Sequence, residues 1–353
     1  MNSALHVALV FTSKKKAHEV SVVRRPGEVV TGDDDEPPDL LAEYDTEETI
    51  SAVESALSRR YRVSRVEGDV RAYERLRKLH PDLVFNISEG FAGPNRESHI
   101  PILCEILGLA YTGSDALTLG ICLDKARAKE ILAYHRIPTA RFEVVAPGAA
   151  AVLPASFRLP ALVKPLREGS SMGIRNDSLV RTRAQLRARV RAIHRVYRQP
   201  ALVEEFLPGR EFTVGVLGNA PAYEILPLVE IDHSVLPRGA NRVYGYEAKW
   251  VWDDPAKPLP ILVCPAKIPD ALAKRIRALV VRTLAVLGVR DWARVDLRLD
   301  AEGNPHVLEL NPLPGILPDP GENSALPAAA RAAGHCYAEL ILKVAAIALR
   351  RQT

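Results

Sequence analysis

The segment RVDLRLD-AEGNP-HVLELNP, residues 294–312, constrains this chain more than any other stretch. Polar and apolar residues alternate on both sides of a turn rich in Asp, Gly, Asn and Pro, the signature of an antiparallel hairpin with one buried face. On the first strand Arg294, Asp296 and Arg298 share one face, and Val295, Leu297 and Leu299 share the other. On the second, Glu309 and Asn311 face one way and Leu308 and Leu310 the opposite way. Pairing Leu299 with His306 sets Asp296 across from Glu309 and Arg294 across from Asn311. Opposed carboxylates repel unless a cation lies between them. Asp, Glu and Asn supply hard oxygen donors of the kind that hold Mg²⁺ together with water and phosphate oxygens. The competing reading is a surface ladder in which Arg294 and Arg298 neutralise both acids.

Strand and helix signals alternate through the first third of the chain. HVALVF, YRVSRV and PDLVFNI read as strands. Residues 46–60 read as a helix, with Ile50, Val53 and Leu57 behind a Thr46 cap, and so does PILCEILGL. That order predicts an α/β fold whose first unit is a doubly wound parallel sheet. Residues 24–45, rich in charge, Pro and Gly, read as a mobile, solvated loop. A second unit starts near Leu119 with LDKARAKEILAYH, followed by strands RFEVVA and ALVKPL and a Gly/Ser loop. A helix is expected over 179–198, with Leu186, Val190, Ile193 and Tyr197 on one stripe and arginines on the solvated faces. Strands ALVEEFL, EFTVGVLG and AYEILPLVEI, a Pro-rich insertion over 232–260, a helix over 270–287, the hairpin and a helix over 337–349 complete the chain. The expected division is 1–118, 119–208 and 209–353.

Composition excludes several classes. At 353 residues, 47% apolar and 25% charged, the chain is neither disordered nor fibrous. No apolar run approaches the roughly 20 residues of a membrane span. Lys14, Lys15 and Lys16 follow HVALVF rather than preceding it, the wrong order for a secretory signal. Four cysteines without ligand spacing read as reduced thiols, so a cytoplasmic protein is expected. With 47 Lys+Arg against 43 Asp+Glu and no nucleic-acid motif, the arginine-rich helix reads as a solvated face rather than a nucleic-acid site.

Lys164 ends ALVKPL and leads into REGSSMGI, where Gly169, Ser170, Ser171 and Gly173 offer donors suited to phosphate. A plain hairpin turn has the same composition. Neither GxxxxGK[ST] nor GxGxxG is present, which argues against a P-loop or a dinucleotide fold. In VEEFLPGREFT, a strand edge and the carboxylates of Glu204 and Glu211 suit an adenine edge and ribose hydroxyls, or are simply exposed strand residues.

YTGSDALTLGICLDKARAKEIL, ALVKPLREGSSMGI, VEEFLPGREFTV, YEAKW, DWARVDLRLD and VLELNPLPG occur in the order found in D-alanine–D-alanine ligases. From about Pro81 onward the chain resembles that family of the ATP-grasp superfamily. The resemblance implies an ATP-grasp fold, with ATP between the central and C-terminal units. Lys125, Lys164 and Lys249 would contact its phosphates, under a lid that includes Glu168, Gly169, Ser170 and Ser171. Glu204 and the backbone of Glu205, Phe206 and Leu207 would hold adenine, and Glu211 the ribose. Asp296, Glu309 and Asn311 would bind two divalent cations, Mg²⁺ or Mn²⁺. Arg294 and the backbone of Gly315 would stabilise charge on the reacting carboxyl. Two amino acids would be joined through an acyl phosphate, in a homodimer, toward a peptidoglycan precursor or a dipeptide of a specialised pathway. The alternative from another class is a catalytically silent nucleotide-binding protein.

The resemblance weakens at the amino-acid site. The acid expected to grip the first substrate's ammonium falls at Ala17, and Glu89 stands in a histidine's place. Trp250 replaces a tyrosine, so only Ser170 remains of a three-residue link between domains. Ser324 and Ala325 stand where the second substrate's carboxylate is held. Glu89 is the expected replacement for the ammonium partner lost at Ala17, and Trp250 an apolar cover.

Overall fold

Three β-sheets organise the computed structural model, which describes residues 4–17, 39–253 and 258–352. The first is parallel, with β1 (His6–Phe11) between β2 (Arg62–Glu67) and β3 (Leu83–Asn86). Every residue of β1 is buried, as an apolar run without alternation requires when both faces are covered. Around it lie α1 (Glu47–Ser58), α2 (Ala72–Leu79) and α3 (His99–Leu107). The hydroxyl of Thr46 caps α1 by accepting from the Thr49 N–H. Next come α4 (Ala116–Leu123) and α5 (Lys125–Tyr134), capped by Asp115 and Asp124.

The second sheet is antiparallel. It contains β4 (Phe142–Val145), β5 (Ala161–Pro165), β6 (Leu179–Val180) and β7 (Ala201–Glu205) in the order β4-β7-β5-β6, and packs on α6 (Arg183–Tyr197). The third sheet holds β8 (Glu211–Asn219), β9 (Ala222–Ile225), β10 (Val229–Ile231), β11 (Leu262–Val263), β12 (Trp292–Leu299) and β13 (Pro305–Asn311). Its path is β11-β10-β8-β12-β13, with β9 also on β8. Ile276, Val280 and Leu284 of α7 (Asp270–Leu287) pack against its apolar face. The chain ends with α8 (Ala325–Ala332) and α9 (Tyr337–Gln352).

α9 returns to the beginning of the fold. Leu340, Ile341 and Val344 share a core with Val7, Leu9, Ile50 and Val53. Phe85 of β3 meets Trp292 of β12 edge to face at 5.7 Å, fixing the hairpin strand against the parallel sheet. Among the described residues no single helix is long and apolar enough to cross a membrane.

Several expectations are corrected. Leu179 and Val180 pair with β5 as a strand, and the helix expected over 179–198 starts at Arg183 behind a Thr182/Gln185 capping box. AYEILPLVEI splits into β9 and β10 around Pro227. α8 lies in a segment where no element is expected from the sequence, and the last helix runs past 349. The expected division at 118/119 falls inside α4. Of the loop over 24–45, residues 24–38 lie outside the described residues. Residues 39–45 are not a solvated loop, since Asp39 is 1% exposed.

The hairpin carries the most informative difference. Arg294 pairs with Asn311 and Asp296 with Glu309, as expected, but Leu297 pairs with Val307 and Leu299 with Pro305. Leu308 is the extra residue of a β-bulge, so His306 faces Arg298 rather than Leu299. The bulge sends Val307 and Leu310 into the core and leaves both Leu308 and Glu309 on the cavity wall.

Candidate active site

A cavity of about 470 Å³ opens between the second and third sheets, bounded on its remaining side by loops beyond the carboxyl ends of β1 and β3. Crevices beyond strand carboxyl ends are common binding sites in such sheets. Of the site residues expected from sequence, only Glu168 is missing from its lining.

The hairpin forms one end. Arg294 donates from Nε and Nη2 to the two oxygens of Asp296 at 3.0 and 3.1 Å. Thr213 Oγ1 and Asn311 Nδ2 donate to the same carboxylate at 2.5 and 3.1 Å. This is no solvated ladder, because the Arg294 and Asp296 side chains are only 18% and 16% exposed and Arg298 pairs elsewhere. Glu309 Oε2 is buried without a hydrogen-bond partner, 3.6 Å from Lys125 Nζ and 4.0 Å from Lys164 Nζ. Burial pushes this carboxyl up, but Lys125, Lys164, Arg294 and Lys249 outweigh it and hold it down at about 2. An ionised, buried oxygen without a donor, beside a second carboxylate and an amide oxygen, fits a hard divalent cation. Among the described residues no three His, Cys, Asp or Glu side chains form a metal cluster, so phosphate oxygens would have to complete the shell. Lys249 comes from the 247–251 turn of the insertion and lies over the Tyr244 ring at 4.9 Å. Burial, then the neighbouring Arg294, lower it to about 8.

Glu204 does not face the cavity as a free acceptor. Its carboxylate lies 2.7 Å from Lys164 Nζ and 2.6 Å from Lys129 Nζ, all three side chains being almost fully buried. Lys129 is missing from the sequence-based set, although its i, i+4 spacing from Lys125 on one helix was a signal. The Glu205 carboxylate turns outward to accept from the Arg158 N–H at 2.9 Å, while Phe206 and Leu207 line the wall. Glu211 is held by Arg298 Nη1 at 2.8 Å and faces His233 Nε2 at 3.0 Å. Arg298 lies over the Phe206 ring at 4.5 Å, with its Nη2 buried and unpartnered. It is a second residue that sequence reasoning missed.

The Gly/Ser loop covers this end. Ser170 and Ser171 adopt positive φ (44° and 61°), and Ser171 Oγ donates to the Tyr244 carbonyl at 2.8 Å. Gly173 also has positive φ (67°), and a Cβ there would fall 2.3 Å from Pro165 Cγ. Lys125 Nζ donates to the Glu168 carbonyl at 2.6 Å. The Glu168 side chain points away from the cavity, to Arg96 at 3.2 Å and Gln199 at 2.5 Å.

The cavity lining thus gathers Lys125, Lys164, Lys249 and Arg294, suited to a polyanion, and also carries the carboxyl groups of Asp45, Glu89 and Glu97. The family model described as D-ala D-ala ligase C-terminus matches residues 131–346. The D-alanine–D-alanine ligase of Cupriavidus metallidurans is 36% identical over 249 residues, 70% of each chain. That of Bordetella pertussis is 37% identical over 246 residues, 69% of this chain and 71% of the other. The chain belongs to the D-alanine–D-alanine ligase family. An uncharacterized Sinorhizobium fredii protein, y4sG, is 39% identical over 269 residues, 76% of this chain and 75% of the other. The Bacillus anthracis D-alanine–D-alanine ligase, solved with ATP, superposes at TM-score 0.71 with 20% identity over 99% of both chains. The architecture is therefore the ATP-grasp fold expected from the sequence.

Asp45, Glu89 and Glu97 bring three carboxyl groups to the lining of the same cavity. Glu89 is partly buried in the cavity wall rather than an exposed loop acid. Burial first, then Glu97 and Glu43, raise its carboxyl well above the usual range. Asp45, overlooked within the charged loop, docks beside the end of β1, its N–H donating to the Thr12 carbonyl at 3.0 Å. Its Oδ2 is buried with no hydrogen-bond partner. Trp250 is more than an apolar cover, since its indole N–H donates to the Ser170 carbonyl at 3.4 Å and Lys14 lies over its ring at 5.7 Å. The Ser324 hydroxyl accepts from the Leu317 N–H at 3.1 Å and donates to the Gly315 carbonyl at 3.4 Å, shaping the loop beside Ala325.

Proposed function

We propose that the cavity binds ATP with its triphosphate among Lys125, Lys164 and Lys249, and joins two amino acids at the Arg294 end. The chain is an ATP-dependent ligase that forms C–N bonds. D-alanine, the substrate named for its relatives, is the proposed amino acid at both positions. The observation that carries the reading is Glu309, whose Oε2 is buried, without a hydrogen-bond partner and ringed by cations.

A carboxylate resists amine attack because its leaving group would be oxide. Transfer of the γ-phosphoryl group turns it into an acyl phosphate, from which phosphate departs. The transfer needs positioning and dispersal of charge rather than a nucleophilic side chain, and the three lysines supply both. Asp296, Glu309 and Asn311 would hold Mg²⁺, which when bound neutralises phosphate oxygens. The incoming amine then attacks the acyl carbon. Arg294 and the Gly315 N–H are the proposed donors to the tetrahedral oxyanion. Asp296 fixes the Arg294 fork in place for that role. Asp45 and Glu89 are the proposed acceptors for the first substrate's ammonium. Ser170, Ser171 and the Trp250 side chain cover the site, which matters because water would hydrolyse the acyl phosphate. A homodimer, which the family resemblance implies, in the cytoplasm, which the reduced cysteines suggest, completes the reading.

An ADP-release assay with Mg²⁺ against a panel of D- and L-amino acids, with the products identified by mass, tests it. D-alanine is expected to give ADP and dipeptide in equal amounts. ATP turnover that no acid–amine pair stimulates would overturn it.

A further inference from the structure

Both ends of the loop over 168–173 are gripped by carboxylates from the segment that precedes α1. At one end the Gly169 N–H donates to Glu43 Oε1. Arg96 Nη2 donates to both Glu43 oxygens at 3.0 and 2.7 Å, and Arg96 Nη1 donates to the Arg167 carbonyl at 2.8 Å. At the other end the Gly173 N–H donates to Asp39 Oδ2 at 2.7 Å, and the Tyr197 hydroxyl approaches both Asp39 oxygens at 2.8 Å. Arg189, the buried arginine of α6, donates to the Gly173 carbonyl at 2.5 Å. The carboxylates are shielded from water, with Glu43 5% and Asp39 1% exposed. Charge-assisted hydrogen bonds in such surroundings are among the stronger polar contacts a fold makes.

Two consequences follow. The Gly169 and Gly173 N–H groups are occupied by protein carboxylates, so they are not free phosphate donors. The three-residue link lost at Ala17 and Trp250 also has a counterpart, reaching the lid from the segment that precedes α1.

We propose that Asp39 and Glu43 are positioning residues of the ligase: they clasp the lid to the N-terminal unit so that the acyl phosphate meets the amine before water. This rests on the ligase reading above. Without the clasp, water attacks the acyl carbon, the bond to the phosphate oxygen breaks, and the substrate carboxylate is regenerated. The net result is ATP and water converted to ADP and phosphate.

The test uses the full chain carrying Glu43→Gln, Asp39→Asn or both. Tyr197→Phe is the milder variant, should the others fold poorly. ADP released per dipeptide formed is measured at saturating substrates. Wild type is expected near one, with the double variant raised about tenfold and Tyr197→Phe in between. In parallel, limited proteolysis of the loop is followed without nucleotide or amino acid. Cleavage is expected to speed up about tenfold in the double variant. Because the second readout needs no substrate, it judges the clasp even if the ligase reading fails. Unchanged cleavage overturns the clasp. Faster cleavage with a ratio still near one overturns the positioning role.

Discussion

The Nζ of Lys164 lies 2.7 Å from Glu204 Oε2 in a region almost closed to solvent. Lys129 reaches the other carboxylate oxygen at 2.6 Å, so one acid answers two buried ammonium groups. Burial disfavours the charged form of Glu204 most strongly, yet the two lysines more than offset it and hold the carboxyl below its ordinary value. Glu204→Gln removes the charge while keeping the shape. It is expected to cost about 3–5 kcal/mol of stability, as stranded buried charges do, and to raise the KM for ATP. Adding Lys129→Met should recover part of the stability, because it removes one of the two stranded ammonium groups. Chemical denaturation of the single and double variants measures both effects, and equal stability of Glu204→Gln and wild type contradicts the network.

Glu309 yields the cation prediction. Its buried oxygen has four cationic side chains around it but no donor in contact, so its affinity is directed at something still to be bound. In wild type, chelating Mg²⁺ is expected to weaken ATP binding by at least about tenfold. In Glu309→Gln, calorimetry should give nearly the same ATP affinity with and without Mg²⁺. An Mg²⁺ dependence that survives the substitution would remove Glu309 from the cation site.

Glu89→Gln addresses the amino-acid end. Losing a carboxyl that an incoming ammonium would draw into its ionised form is expected to raise the KM for the first amino acid about ten- to a hundredfold. The KM for ATP should stay within about twofold, because the proposed triphosphate contacts are Lys125, Lys164 and Lys249 rather than Glu89. Initial-rate kinetics with each substrate varied in turn would expose the opposite outcome, an unchanged amino-acid KM.

How much of this was legible in the sequence depended on whether the signal was periodic. Alternation along 294–311 announced the hairpin and its polar face, and the pairing of Asp296 with Glu309 held. The bulge at Leu308 was hidden, because an apolar residue suits either the core or an apolar cavity wall. Arg189 shares the stripe of Leu186, Val190 and Ile193, and its position was readable. Its residue type argued for solvent, and only the Gly173 carbonyl explains why it is inside. Asp39 and Glu43 were beyond reach altogether. Their partners lie 134 and 126 residues away, and no local pattern encodes a contact of that range.

Asp45 allows a pH prediction. Burial, then the nearby Glu67, raise its carboxyl from 3.8 to about 8, against an opposing effect of Lys14, and Glu89 and Tyr337 also lie within electrostatic reach. A raised folded-state value means that the native protein keeps a proton which the unfolded chain releases above about pH 4. Stability contributed through this group is therefore full at low pH, falls between about pH 4 and pH 8, and levels off above. Asp45→Asn cannot ionise and escapes that loss. Relative to wild type, and counted from pH 4, the variant should gain about 1 kcal/mol by pH 5 and on the order of 3 kcal/mol by pH 8, less than the full shift implies because Asp45 stays partly open to the cavity. Urea titrations of both proteins at pH 5, 6.5 and 8 measure the gap. A difference that shrinks as pH rises would mean that the buried oxygen is already ionised and has a partner in solution.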